Sequence, residues 1–163
     1  MAEMEQLVDR LIAITPFNVV PVSACQADVA AAERELGVAF PDDFKRCLEL
    51  LGNRYFRNWE LYRVLPAELS PELRYELACC DIVRCNHDLH ERWEVPDHLI
   101  AFYTNGLADY VCFDKGAKFS PVVIWLHDAE DAEEQIQPVA RLFTEWLREE
   151  VEWREKEPGR VKV

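Results

Sequence analysis

The sequence predicts a single α+β domain in which an antiparallel sheet packs with N-terminal helices and a C-terminal helix. Three observations carry this prediction. The stretch Ala32–Asn53 holds helix stop and start signals at fixed spacing, and three short apolar runs between Ile100 and His127 are separated by turn residues. The chain has 163 residues, half of them apolar, which is enough for one well-filled core. The expected domain covers residues 1–154, with 155–163 as a frayed tail.

From the start, Glu3–Ile14 places Leu7, Leu11 and Ile14 on one helical face, with Val8 alongside, and Thr15-Pro16 ends it. Ser23 has the character of an N-cap, with Gln26 as its capping-box partner, for a helix that reaches Leu36. Gly37 can take the left-handed conformation that closes this helix, and Pro41 has the φ of a first helical turn. Asp42 and Asp43 then sit at the positive end of the next helix dipole. Phe44, Cys47, Leu48 and Leu51 give that helix an apolar face before Gly52 stops it.

Asn58–Leu65, with Trp59, Leu61 and Tyr62, alternates loosely and reads as a strand ended by Pro66. Between Ser70-Pro71 and about Trp93, Leu73, Leu77, Cys80, Val83 and His87 recur at helical steps, predicting one or two helices. Asn105-Gly106 is the signal of a two-residue type I′ turn, and Lys115–Lys118 supplies a second turn. These turns join the strands of the Ile100–His127 meander. Its third run, Val122–His127, is apolar on both faces and needs cover on both sides. Ile136, Val139, Phe143, Trp146 and Leu147 form a helical stripe that can supply this cover.

The corner motif, carried by Glu33, Leu36, Gly37, Phe40, Pro41, Asp43, Phe44, Leu48 and Leu51, resembles the start of the SUKH superfamily. That group contains the fungal Smi and Knr cell-wall regulators and many bacterial toxin-immunity proteins. A second block, Leu99–Phe102, Asp109–Asp114 and Pro121–His127, is similar to the strand block of the superfamily. The two blocks cover most of Ser23–Glu152. Gly52-Asn53-Arg54 stands where the superfamily usually has Asn-Gly-Gly, and Arg57–Pro96 matches poorly. The resemblance implies a SUKH-like domain that binds and neutralises a cognate polymorphic toxin, often a nuclease. The fungal branch implies an alternative, a regulatory or scaffold domain with endogenous partners.

The formal charge of −13 disfavours nucleic acids and anionic membranes and favours a cationic partner. No apolar run reaches the length of a membrane span, and the acidic start lacks a secretory n-region, so a cytoplasmic location and reduced cysteines are expected. The charge is uneven. Asp128–Glu157 holds eleven carboxylates against four basic side chains, whereas Leu99–His127 is balanced. The expected partner surface is therefore Asp128, Glu130, Asp131, Glu133 and Glu134, joined by Glu150, Glu152 and Trp153, docking on the basic cleft of a cognate toxin. An exposed Trp153 would anchor that contact, or else fold back on its helix.

Chemistry is sparse. His87 and His90 within Cys85–Glu91 lack the spacing of a zinc site, and Cys79-Cys80 is too close in sequence for an unstrained disulfide. Cys112 and His127 are the best thiol–base pairing, yet a cysteine in mid-strand reads as core. No glycine-rich phosphate loop or G-x-S-x-G elbow occurs. The sequence therefore predicts no catalytic residue, no cofactor and no metal.

Overall fold

The computed structural model describes residues 2–56, 60–116, 121–131 and 134–157. The central layer is a five-stranded antiparallel sheet in the order β3-β4-β5-β6-β7, formed by Glu60–Leu61, Leu99–Thr104, Tyr110–Asp114, Val122–Trp125 and Ile136–Ala140. A separate two-stranded ribbon pairs β1 (Phe17–Val19) with β2 (Arg54–Phe56). The helices are α1 (Ala2–Ile14), α2 (Gln26–Leu36), α3 (Asp42–Leu51), α4 (Pro71–Glu76), α5 (Ile82–Arg92) and α6 (Phe143–Lys156). The α+β class, the meander and a strand in Asn58–Leu65 are all present. Asn58 and Trp59 lie outside the described residues, as do residues 117–120 of the second turn.

Every residue of β4 is buried. Its register with β5 shifts between Ala101 and Tyr103, so Phe102 is an extra residue in the strand. Phe102 stacks on Phe113 at 4.3 Å between ring centroids, and Phe44 of α3 meets Phe40, Phe102, Phe113 and Phe143 at 5.1–5.8 Å. Trp146 of α6 adds edge contacts to Phe102 at 4.9 Å. Mixed edge and offset geometry is the favourable arrangement for rings at these separations. This aromatic cluster joins α3 and α6 to one face of the sheet.

Asp43 fixes the relation of those two helices. Its Oδ2 accepts from both the backbone N–H and the hydroxyl of Thr144 at 2.9 Å, so a carboxylate on α3 caps the first turn of α6. Glu33 performs the parallel task at the corner, accepting from the N–H of Phe40 at 2.8 Å. Gly37 has φ +61° and closes α2 as its position predicts. On the outside, Glu3 pairs with Arg148, Arg10 with Glu155 at 2.8 Å, and Glu5 with Arg46 at 2.7 Å, tying α1 to α6 and α3. Glu155 and Lys156 therefore belong to α6.

The other edge of β4 is closed by side chains. β3 pairs only with Tyr103 and Thr104, and the N–H of Tyr62 reaches the carbonyl of Phe102 at 2.7 Å. At Ala101 the partner is Asn86 of α5: its Oδ1 accepts from the N–H of Ala101 at 2.7 Å, and its Nδ2 donates to the carbonyl at 2.8 Å. His90 Nε2 lies 2.9 Å from the carbonyl of Leu99. A buried strand edge must satisfy these groups, and one fully buried asparagine substitutes for a missing strand.

Four details differ from the sequence reading. Ile136–Ala140 is an edge strand on β6, not the start of the last helix, because β6 needs a hydrogen-bonding neighbour and an edge position tolerates Pro138. The helical stripe consequently begins at Phe143. The Asn105-Gly106 turn is not a two-residue type I′ turn: Thr104 pairs with Tyr110, and the Asn105 side chain accepts from the N–H groups of Leu107 and Asp109, stabilising a longer loop. Helix α2 starts at Gln26 and not after Ser23, with Asp28 Oδ2 accepting from the N–H of Cys25 at 2.8 Å. Ser70 does cap α4, and Asp81 caps α5 after the turn Ala78–Cys80.

Three substitutions test this architecture by denaturant unfolding. Phe44→Ala should cost about 3 to 5 kcal/mol, the range for removing a fully buried ring. Asn86→Leu should cost about 2 to 4 kcal/mol by leaving the two Ala101 backbone groups unpaired, whereas His87→Ala, half-exposed on the same helix, should fall within about 0.5 kcal/mol of the parent.

Candidate functional site

The loop from Leu126 to Gln135, between β6 and β7, carries most of the predicted partner surface. Its base is closed by Leu126 N–H to the carbonyl of Gln135 at 2.8 Å, and its tip by Glu134 N–H to the carbonyl of Asp131 at 3.0 Å. Gln137 Nε2 donates to the carbonyl of Glu134 at 3.1 Å. Asp128, with its side chain 87% exposed, meets His127 Nε2 at 2.7 Å, and Asp109 Oδ1 lies 3.7 Å from His127 Nδ1. Glu130, Asp131 and Glu134 are exposed. Glu133 lies outside the described residues.

Several helix carboxylates are compensated by cations, although Asp9, Glu145, Glu149 and Glu152 of α1 and α6 meet no Arg or Lys within ion-pair distance among the described residues. Glu3, Glu5, Glu33, Asp42, Glu49, Asp88 and Glu155 each meet an Arg or Lys within ion-pair distance. Glu130, Asp131 and Glu134 meet none among the described residues. Uncompensated carboxylates on a tethered loop project a negative field into solvent over roughly a Debye length, about 8 Å at physiological salt.

The α6 members of the predicted surface separate from this loop. Glu150 is 1% exposed and cannot meet a partner directly: its Oε1 accepts from Arg154 Nε at 2.7 Å and from the Tyr103 hydroxyl at 3.4 Å. The physical reason is helical phase, since Glu150 follows Phe143, Trp146 and Leu147 on the buried stripe of α6. Its charge and Arg154 push the Tyr103 phenol in opposite directions; burial dominates and raises that phenol to about 12. Glu152 is partly exposed and acts electrostatically on Arg10 and Arg148, within the paired face of α1 and α6. Trp153 is half-buried.

Four of the six thiols are withdrawn from nucleophilic work. Cys112 is fully buried with Sγ directed to the carbonyl of Tyr110 at 3.6 Å, while His127 makes its contacts with Asp109 and Asp128. Burial pushes the Cys112 thiol far up, and the thiols of Cys47, Cys80 and Cys85 up to about 12, so all four stay protonated near neutrality. Cys85 Sγ lies 3.2 Å from the carbonyl of Cys79. Among the described residues no three His, Cys, Asp or Glu side chains are grouped to hold a metal ion. His87 meets Glu35 at 3.4 Å, and His90 serves the sheet edge.

A second feature escaped the sequence reading. Arg63, in the run Leu61-Tyr62-Arg63-Val64-Leu65, is 4% exposed and has no carboxylate partner among the described residues. Its backbone bridges to Asp81, with N–H to the carbonyl of Cys80 at 2.6 Å and carbonyl to the N–H of Ile82 at 2.9 Å. The guanidinium donates to the carbonyls of Arg54 and Gly52, the latter at 2.8 Å, and lies over the Tyr55 ring at 4.9 Å. Burial lowers its proton affinity from the ordinary value. Arg63 also lines a 680 Å³ groove between α2 and α3. The available signal was a lone arginine in an apolar run.

The described residues thus form an α+β domain with a projecting acidic loop and no helix long and apolar enough to cross a membrane. The SMI1 / KNR4 family (SUKH-1) model matches residues 24–149, and the chain belongs to that family. Four solved chains match its fold. One of them, described as a protein from Pseudomonas syringae pv. tomato, is 18% identical, with a TM-score of 0.53 over 78% of this chain and 87% of that one. At that identity the likeness is one of fold. Comparison with curated proteins finds no match.

Thiol accessibility checks the site chemistry. Iodoacetamide near neutral pH should label Cys25 and Cys79, both exposed, while Cys47 and Cys112 react only in denaturant, as read by intact-mass spectrometry. Glu150→Ala should cost about 3 to 5 kcal/mol in denaturant unfolding, because Arg154 loses its partly buried partner. A change under about 0.5 kcal/mol would return Glu150 to the surface.

Proposed function

We propose that this protein is an immunity protein that acts by stoichiometric occlusion, binding a basic cognate toxin, of the polymorphic and often nuclease type, in the cytoplasm. The reading is carried by one observation, the exposed and unpaired carboxylates Glu130, Asp131 and Glu134 beside Asp128 on the β6–β7 loop. Membership in the SMI1/KNR4 family supports it, together with the net charge of −13. A toxin that cuts nucleic acid presents a positive cleft, and a row of carboxylates occupies such a cleft as phosphates do. Glu133 completes that row in the proposal. Nucleic acid and membranes are not its partners, since like charge repels both.

Association should be fast at low salt and fall as salt screens the attraction. Co-purification from the native host with mass spectrometry should recover one abundant basic partner. With that partner immobilised, the triple variant Asp128→Lys, Glu130→Lys, Asp131→Lys should associate about 10 to 100-fold more slowly in low-salt surface plasmon resonance. An unchanged rate would remove this loop from the interface.

A further inference from the structure

We propose that the groove between α2 and α3 binds a small carboxylic acid with an apolar body, and that Arg63 in its floor recognises the carboxylate. The groove encloses 680 Å³ and includes Ala24, Val29, Ala30, Leu48 and Val64 in its lining. That volume lies within the roughly 300 to 1,000 Å³ typical of sites for small organic ligands.

Its charges single out one residue. Lys45 meets Asp42 at 3.0 Å and Glu33 at 3.6 Å, and Arg46 meets Glu49 and Glu5, each at 2.7 Å. These pairs neutralise the basic side chains of the rim. Among the described residues, Arg63 alone of the basic side chains of the groove has no carboxylate, and its Nε, like that of Arg46, is buried with no hydrogen-bond partner. A buried guanidinium with a free donor is costly, and two carbonyls with one aromatic face offset only part of that cost. A carboxylate is the planar acceptor that matches a guanidinium edge, and its interaction there is stronger than at the solvated rim.

The same layout restricts the ligand. One negative charge is suited, because a phosphate would carry a second past Glu33, Asp42 and Glu49. The aliphatic walls require an apolar remainder. This site is separate from the acidic loop, and neither proposal depends on the other.

The test uses the full chain, hexanoate and 1-hexanol as probes, and amide shifts in ¹H–¹⁵N NMR spectra as the readout. Hexanoate should shift the amides of Ala24–Ala30, Leu48–Gly52 and Arg63–Val64, and bind about tenfold or more tightly than the alcohol. Arg63→Met should erase the preference for the acid while leaving binding of the alcohol. Ala30→Trp, which fills the groove and leaves Arg63 untouched, should abolish binding of both. Equal affinity for acid and alcohol, shifts confined to other regions, or no shifts at millimolar probe would overturn the proposal. So would an acid preference that survives in folded Arg63→Met. If Arg63→Met does not fold, the preference of the parent and its loss in Ala30→Trp decide the matter.

Discussion

The complete burial of β4 is the constraint on which the rest of this structure depends. Six consecutive buried residues leave the strand no solvent for its backbone or its side chains, so each direction needs a specific neighbour. β5 supplies one edge. The other is assembled from β3, Tyr62, Asn86 and His90, which explains why a helix from the middle of the chain must dock against the sheet. The aromatic cluster around Phe44 covers one face, and Asp43 holds α3 and α6 in the relative position that brings Phe143 and Trp146 onto Phe102. Packing and polar satisfaction thus converge on one strand.

That arrangement also explains where charge is free to act. Glu3, Glu5 and Glu155 pair with Arg148, Arg46 and Arg10 and so bind α1 to α3 and α6. The β6–β7 connection has no helix to hold, and its residues Glu130, Asp131 and Glu134 keep their charge toward solvent. The paired carboxylates join helices; those of the loop face solvent. Arg63 shows the opposite case, a cation withdrawn from solvent and held by two carbonyls and the Tyr55 ring, with no carboxylate partner among the described residues.

Much of this was legible in the sequence where the signal is local. Gly37 and the spacing of Phe44, Cys47, Leu48 and Leu51 act within one or two helical turns and placed the corner as observed, although Pro41 is the N-cap before α3 and not part of its first turn. Ser70 capped its helix for the same reason. Features set by distant partners were not legible. Ile136–Ala140 has helical spacing, yet the unpaired edge of β6 recruits it as a strand. The Cys85–Glu91 cluster suggested ligands, and only the sheet shows that Asn86 and His90 serve the β4 edge. Glu150 could have been placed inside from its phase with Trp146 and Leu147, but its acidic neighbours obscured that signal. Arg63 was passed over, because an arginine among apolar residues gives no hint of the groove it lines.

The central functional claim is that the protein occludes its partner and transforms nothing. Titrating the activity of the toxin recovered from the native host with increasing amounts of this protein tests it most directly. Occlusion predicts a linear fall that reaches zero at one equivalent and is restored when high salt dissociates the complex. Complete inactivation by a small fraction of an equivalent, persisting after the two are separated, would contradict the account.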